Sequence, residues 1–213
     1  MSKNRLRGRP TDLNKQQLQK EKLLSATQEL LASKPYIEVT IREVAERAGL
    51  NSAMVRYYFD NKEGLFLALL EQMSKQHFIN MTQISEQKDP IKHFIQFMLK
   101  MLTNNNSFAR LIHDEFAHSN SKLSNAFIEK FPKRMAKFLP QLVKQNTSIT
   151  DDRKAKQAAF TLVSMIVMPF IGLSVRKKAW GISDDEIASS QWAEHIYSSF
   201  IFGFGKNVDK NDN

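Results

Sequence analysis

The sequence predicts an all-α fold of about nine helices, with a three-helix helix-turn-helix unit at the N-terminal end and a larger helical region after it. Three observations predict it. Only 7 Gly and 6 Pro interrupt the 213 residues. Apolar residues recur at three- and four-residue spacing through most of the chain. Side-chain caps and turn residues stand where the periodic runs begin and end.

Residues 1–14 form a polar basic arm, with Lys3, Arg5, Arg7 and Arg9 and no acid in the first ten. A stretch of this composition cannot bury a core and is expected to be disordered alone. Its Arg7-Gly8-Arg9-Pro10 core resembles an AT-hook, in which Gly allows close approach and Arg favours a narrow minor groove. Residues 15–33 are the first helix, with Leu23, Ala26, Thr27, Leu30 and Leu31 on one stripe.

The second helix opens at Thr40. Glu43, three residues on, completes a capping box, and Val39 and Val44 are placed as a hydrophobic staple. Ile41, Val44, Ala45 and Ala48 face inward. Gly49 can close the helix in the left-handed conformation without a Cβ clash. Asn51 then caps a third helix whose inward residue is Val55. Two short helices joined by a Gly-containing turn are the helix-turn-helix signature. The outward residues Ser52, Ala53, Met54, Arg56, Tyr57 and Tyr58 carry hydroxyls, a guanidinium and apolar surface. Arg reads guanine N7 and O6, and apolar groups contact the thymine methyl. Lys62, at the start of the fourth helix, suits a phosphate oxygen. Thr40, Arg42 and Asn51 complete the candidate DNA contacts.

The charge agrees. The chain carries a formal +9, of which residues 1–62 supply +5. A basic N-terminal unit points to nucleic acid. The absence of Cys excludes a disulfide framework and thiolate metal sites. His113 and His118 stand at i, i+5, roughly 140° apart on a helix, so they do not form a zinc-binding pair. No Gly-rich phosphate loop or nucleophile elbow occurs. A non-enzymatic protein with no metal and no cofactor is expected.

The segment resembles the DNA-binding domain of the TetR family of bacterial transcriptional regulators. The resemblance lies in Leu23-Leu24, Ala26, Leu30-Leu31, Thr40, Ile41, Val44-Ala45, Ala48-Gly49-Leu50, Val55, Tyr58-Phe59, Lys62-Glu63 and Leu65. It covers roughly residues 20–70. Pro35 replaces a usual Gly in a turn. Ala53 and Arg56 replace residues usual on the recognition helix, and so change which bases are read. The resemblance implies four parts: the arm 1–14, a DNA-binding domain 15–65, an effector-binding and dimerisation domain 66–205, and a disordered tail 206–213. It also implies a ligand-responsive repressor that binds double-stranded DNA as a homodimer. The cell compartment implied is the bacterial cytoplasm, at the nucleoid. The basic start leads into a polar stretch, unlike a secretory leader.

The later elements follow in order. The fourth helix is expected over residues 62–82, joining the two units. Asp89 and Pro90 open a fifth, with Ile91, Phe94, Ile95, Met98, Leu99 and Leu102 inward. A sixth is expected over residues 107–118. There Glu115 either pairs with Arg110 or a ligand, or lies at the edge of the stripe in solvent. Residues 122–145 form a seventh region interrupted at Pro132. Thr150 is expected to cap the eighth helix, which runs to Arg176-Lys177-Lys178 with a kink at Pro169. Residues 157–175 are uncharged and near spanning length, but their polar residues and the basic residues at both ends favour a buried helix of a bundle over a membrane span. Ser183 and Glu186 form a second capping box opening the ninth helix.

The second region is rich in Met and Phe, most of which must be core. Some are expected to line an apolar pocket for a small apolar or amphipathic effector, as the resemblance implies. Phe97, Met101, Arg110, His113, Glu115, Met165 and Met168 are the candidates. An alternative is a DNA-bound protein whose second region binds another protein and no small molecule. A helical enzyme or carrier with a vestigial DNA domain fits less well, since the cap, turn and basic arm are intact.

Overall fold

The computed structural model describes residues 13–104 and 122–204. The helices run α1 (Leu13–Ser33), α2 (Ile41–Ala48), α3 (Ser52–Phe59), α4 (Lys62–Ser85), α5 (Pro90–Asn104), α6 (Lys122–Lys130), α7 (Pro132–Asn146), α8 (Asp152–Ile171), α9 (Leu173–Ala179), α10 (Asp184–Ala188) and α11 (Ser190–Phe204). No strand occurs among the described residues. The expected helix over residues 107–118 lies outside them.

α1 buries Leu23, Leu24, Ala26, Thr27, Leu30 and Leu31, the stripe that the spacing predicts. It packs on α2 and α4, and α3 packs on α2 and α4. The fully buried Val44, Val55 and Leu65 come together with that stripe. α4 continues away from this unit and also packs against α5 and α6. Its last turn reaches Ser85, three residues beyond the expected end.

Several boundaries differ from expectation for local physical reasons. The cap of α8 is Asp151, whose carboxylate accepts from the Lys154 N–H at 2.8 Å; Thr150 is not the cap. α8 stops at Ile171, two residues past Pro169, and the basic run Arg176-Lys177-Lys178 ends the separate short α9. Proline has no N–H to continue the helical ladder and crowds the preceding turn. Ser183 accepts from the Glu186 N–H at 3.1 Å, but α10 lasts only five residues. Ser189 then turns extended, and its hydroxyl accepts from the Trp192 N–H at 3.1 Å, so a second capping serine starts α11. The break before Pro132 falls where expected, at Phe131 (φ −118°, ψ −74°).

α8 is long and apolar enough to cross a membrane by length and composition, yet only 28% of that apolar window is buried. Ala155, Ala158, Ala159, Leu162 and Ile166 face the core, and the small alanines let α7 approach. The opposite face is open, with Phe160 75% and Met168 60% exposed. The expectation of a buried bundle helix therefore holds for one face only.

His77 is buried on α4 between aromatic rings: Phe78, Phe97 and Phe131 lie 5.0, 5.4 and 5.8 Å away by ring centroid. Burial first, and the Arg134 charge second, push its imidazole down to about 4. Below pH 6.5 the unfolded chain takes up a proton that the folded chain refuses until about pH 4. Stability is thus full above 6.5 and falls as the pH drops through that window, by up to about 3 kcal/mol. Replacing His77 with Phe keeps an aromatic ring and removes the titration. Urea unfolding at pH 7 and pH 4.5 is expected to show a smaller pH effect in H77F than in the wild type; equal effects would exclude His77 as the cause.

Candidate nucleic-acid interface

The entry to α2 is built as the capping pattern requires. The Glu43 N–H donates to Thr40 Oγ1 at 3.3 Å, and the Thr40 N–H donates back to Glu43 Oε2 at 2.9 Å. Lys34 also pairs with Glu43. Hydrogen bonding from Lys34, then from Thr40, holds the Glu43 carboxyl down at about 2. Thr40 is thus occupied by its cap, which leaves its role in any DNA contact to its exposed edge. Thr40→Ala is expected to lower the stability of this unit by about 1 kcal/mol, read as a drop in the thermal midpoint. A midpoint unchanged from wild type would refute the capping role.

Gly49 takes φ 66°, ψ 34°, the left-handed turn that its position demands. Its N–H and that of Leu50 bond back to the last carbonyls of α2. Asn51 then caps α3 by accepting from the Ala53 N–H at 2.8 Å. α3 is left through Asp60 at φ 68°, ψ −53°, an uncommon conformation for a residue with a side chain, to which the Asn61 amide donates at 2.9 Å. Asn61 in turn caps α4 through the Gly64 N–H. A Cβ at Gly64 would fall 2.0 Å from the Phe59 carbonyl oxygen, so this corner closes around a residue without a side chain.

The recognition face separates into two groups. Val55 is fully buried. Ser52, Ala53, Arg56 and Tyr57 are exposed, and their i, i+1, i+4, i+5 spacing puts them on one side of α3. Met54 and Tyr58 are half-buried and pack against the core. The Tyr58 hydroxyl donates to Gln19 Oε1 at 2.7 Å, and Lys20 lies 5.6 Å from its ring. Tyr58 therefore ties α3 to α1 instead of projecting with Tyr57. No local signal in the sequence marks this bond, because the partners stand 39 residues apart.

The cationic groups divide in the same way. Arg42 pairs with Glu46 at 2.8 Å and Arg47 with Glu29 at 3.3 Å. The Lys62 ammonium donates to the Ile37 carbonyl at 3.1 Å and lies 4.5 Å from the Tyr36 ring centroid. Burial, then the nearby Lys34 charge, pull its pKa down. Lys62 therefore closes the turn before α2, and a phosphate would have to compete for it. The Arg56 side chain has no hydrogen bond or ion pair among the described residues. Arg7 and Arg9 lie outside them.

The effector candidates are less gathered. Phe97 and Met101 on α5 and Met165 on α8 are half-buried and pack against the core. Met168 stands apart on the open face of α8. Arg110, His113 and Glu115 lie outside the described residues. Among those residues, no group of three or more His, Asp or Glu could hold a metal ion.

A capped helix, a left-handed glycine turn and a second capped helix with an open polar face define a helix-turn-helix unit of the DNA-binding class. Residues 23–69 match the family described as bacterial regulatory proteins, tetR family, and the unit is a tetR-family helix-turn-helix domain. Over 69 residues the chain is 38% identical to the uncharacterized HTH-type transcriptional regulator YvkB of Bacillus subtilis (strain 168). That match covers 32% of this chain and 34% of that protein, so the chain spans about a third of the relative's length. Over most of its length the fold is similar to that of the fatty acid degradation regulator FadR from Bacillus halodurans. There the TM-score is 0.70 at 16% identity, over 87% of this chain and 95% of that one. FadR from Bacillus subtilis, solved in complex with stearoyl-CoA, gives a TM-score of 0.68 at 18% identity, over 86% and 98% of the two chains.

Proposed function

We propose that this chain is a non-enzymatic transcriptional regulator that binds a palindromic operator as a homodimer and represses transcription until an effector binds. The observation that carries the reading is the open face of α3, Ser52, Ala53, Arg56 and Tyr57, held by a cap at each side of the glycine turn. Such a face fits the major groove, where Arg and small apolar groups distinguish base pairs. One short helix offers few contacts, and two-fold pairing doubles them.

α8 and α11 pack against one another, and the apolar side chains that they leave outside support pairing of two copies. Phe160, Met168 and Phe202 are all more than half exposed there, an arrangement that a lone soluble chain rarely keeps. The effector is a small apolar or amphipathic molecule held by the C-terminal helices. The half-buried Met and Phe residues of α5 and α8, and the fold shared with a regulator solved with stearoyl-CoA, support that class. The site of action is the bacterial cytoplasm, on the nucleoid.

The test is selection of bound duplexes from a random library at physiological salt. A palindrome with half-sites about one and a half to two helical turns apart is the expected result. Enrichment without a motif, lost as salt rises, would mean electrostatic binding alone and would refute the reading.

A further inference from the structure

α4 packs both on the DNA-binding unit, through α1 and α3, and on the C-terminal helices, through α5 and α6. Its contact with the corner between α6 and α7 is unusually specific. The corner exists because Pro132 interrupts the helix at Phe131. An interruption leaves carbonyls at the end of α6 without helical donors. One of these, of Lys130, is met by the hydroxyl of Ser74, which donates to it at 2.9 Å. Arg134, in the first turn of α7, donates to the same Ser74 hydroxyl at 2.9 Å. Ser74 therefore holds the last residue of one helix and the first turn of the next.

Other contacts hold the same corner. Lys130 pairs with Glu71. The Arg134 guanidinium lies 3.9 Å from the Phe78 ring centroid, and the Phe131 ring packs on His77. Glu71, Ser74 and Phe78 recur at three- and four-residue spacing, so they form one stripe of α4. Ser74 is 1% exposed. A polar group buried so deeply and bonded on both sides specifies one relative position of its neighbours, which apolar packing alone would leave free to slide.

We propose that Ser74 and Arg134 are positioning residues that set the pose of α4, and through it the separation of the two recognition helices in the dimer. The inference rests on the operator-binding dimer proposed above. The clamp acts on the geometry between half-sites and not on the contacts within one. Its loss lets α4 sample more than one pose and weakens discrimination between half-site spacings.

The experiment measures binding of the full chain to duplexes that carry the selected half-sites at spacings varied one base pair at a time. A single half-site duplex is measured in parallel. In Ser74→Ala and Arg134→Met, the affinity ratio between the best spacing and one base pair longer is expected to fall by at least about five-fold. Single half-site affinity should stay within about two-fold of wild type. Arg134→Lys, which keeps a donor for Ser74, should recover most of the ratio. Unchanged spacing profiles in both variants would overturn the clamp. So would a parallel fall in half-site affinity, which marks a merely structural role. Because Ser74 is buried, the exposed Arg134 keeps the test decisive if S74A fails to fold. A wild-type chain with no spacing optimum would overturn the operator reading itself.

Discussion

Replacing Phe160 with Glu is expected to separate the proposed dimer and abolish tight operator binding without unfolding the chain. Phe160 is 75% exposed on the face of α8 opposite its buried alanines. In a single copy the substitution removes no core contact, and Glu is a good helix former. The helical circular dichroism signal and thermal midpoint of the monomer should therefore persist. Between two copies the outcome differs. Burying one Phe side chain contributes about 1.5–3 kcal/mol, and two-fold symmetry applies the loss twice. Two carboxylates brought into an apolar interface add a desolvation cost. Together these effects weaken association by a factor on the order of a hundred to ten thousand. Sedimentation velocity at micromolar protein should show wild type as a dimer and F160E as a monomer. A dimer that persists in F160E would place the interface elsewhere and remove the main support for pairing through α8 and α11.

Arg56→Ala is expected to produce the next largest effect, and on DNA alone. Arg42 and Arg47 are engaged by Glu46 and Glu29, and Lys62 by the Ile37 carbonyl. Arg56 projects from α3 with no such partner among the described residues, beside the exposed Tyr57. A bidentate contact from Arg to guanine contributes about 1–3 kcal/mol of base discrimination. A palindrome contains the contact twice, so operator affinity should fall by a factor on the order of thirty or more. Preference should relax at one base position in each half-site. Non-specific binding should weaken only slightly, since the slope of affinity with salt changes by about one unit for each charge removed. Repeating the duplex selection with R56A tests this directly. A motif unchanged at every position would show that Arg56 does not read a base.

Much of this molecule is written locally. Thr40 and Glu43, Gly49, and Asn51 are separated by four residues or fewer from the groups that they satisfy. Chain chemistry alone therefore specifies the capping box, the left-handed turn and the start of α3. The stripe from Leu23 to Leu31 and the break at Pro132 are equally local. The less legible boundaries were those where several breakers compete, as at Pro169 and Gly172, or where two serines can each start a helix, as Ser183 and Ser189 do. A short-range pattern cannot choose among equivalent caps when packing selects between them.

The site shows the same division. The sequence by itself determined the helix-turn-helix and the register of α3, because helical periodicity assigns faces once Val55 is known to point inward. It placed Ser52, Ala53, Met54, Arg56, Tyr57 and Tyr58 outward together, and the structure leaves Met54 and Tyr58 half-buried against the core. Only the tertiary structure decided which polar groups on that surface are already engaged. Tyr58 is bound to Gln19 and Lys62 to Ile37, while Glu43 answers Lys34 as well as Thr40. It likewise decided that Met168 stands outside and that Ser74 clamps the α6–α7 corner. The long-range contacts among these join residues from 9 to 60 positions apart. Hydrogen bonds and ion pairs act over a few ångströms, so a side chain's partner depends on which distant helix the packing brings beside it.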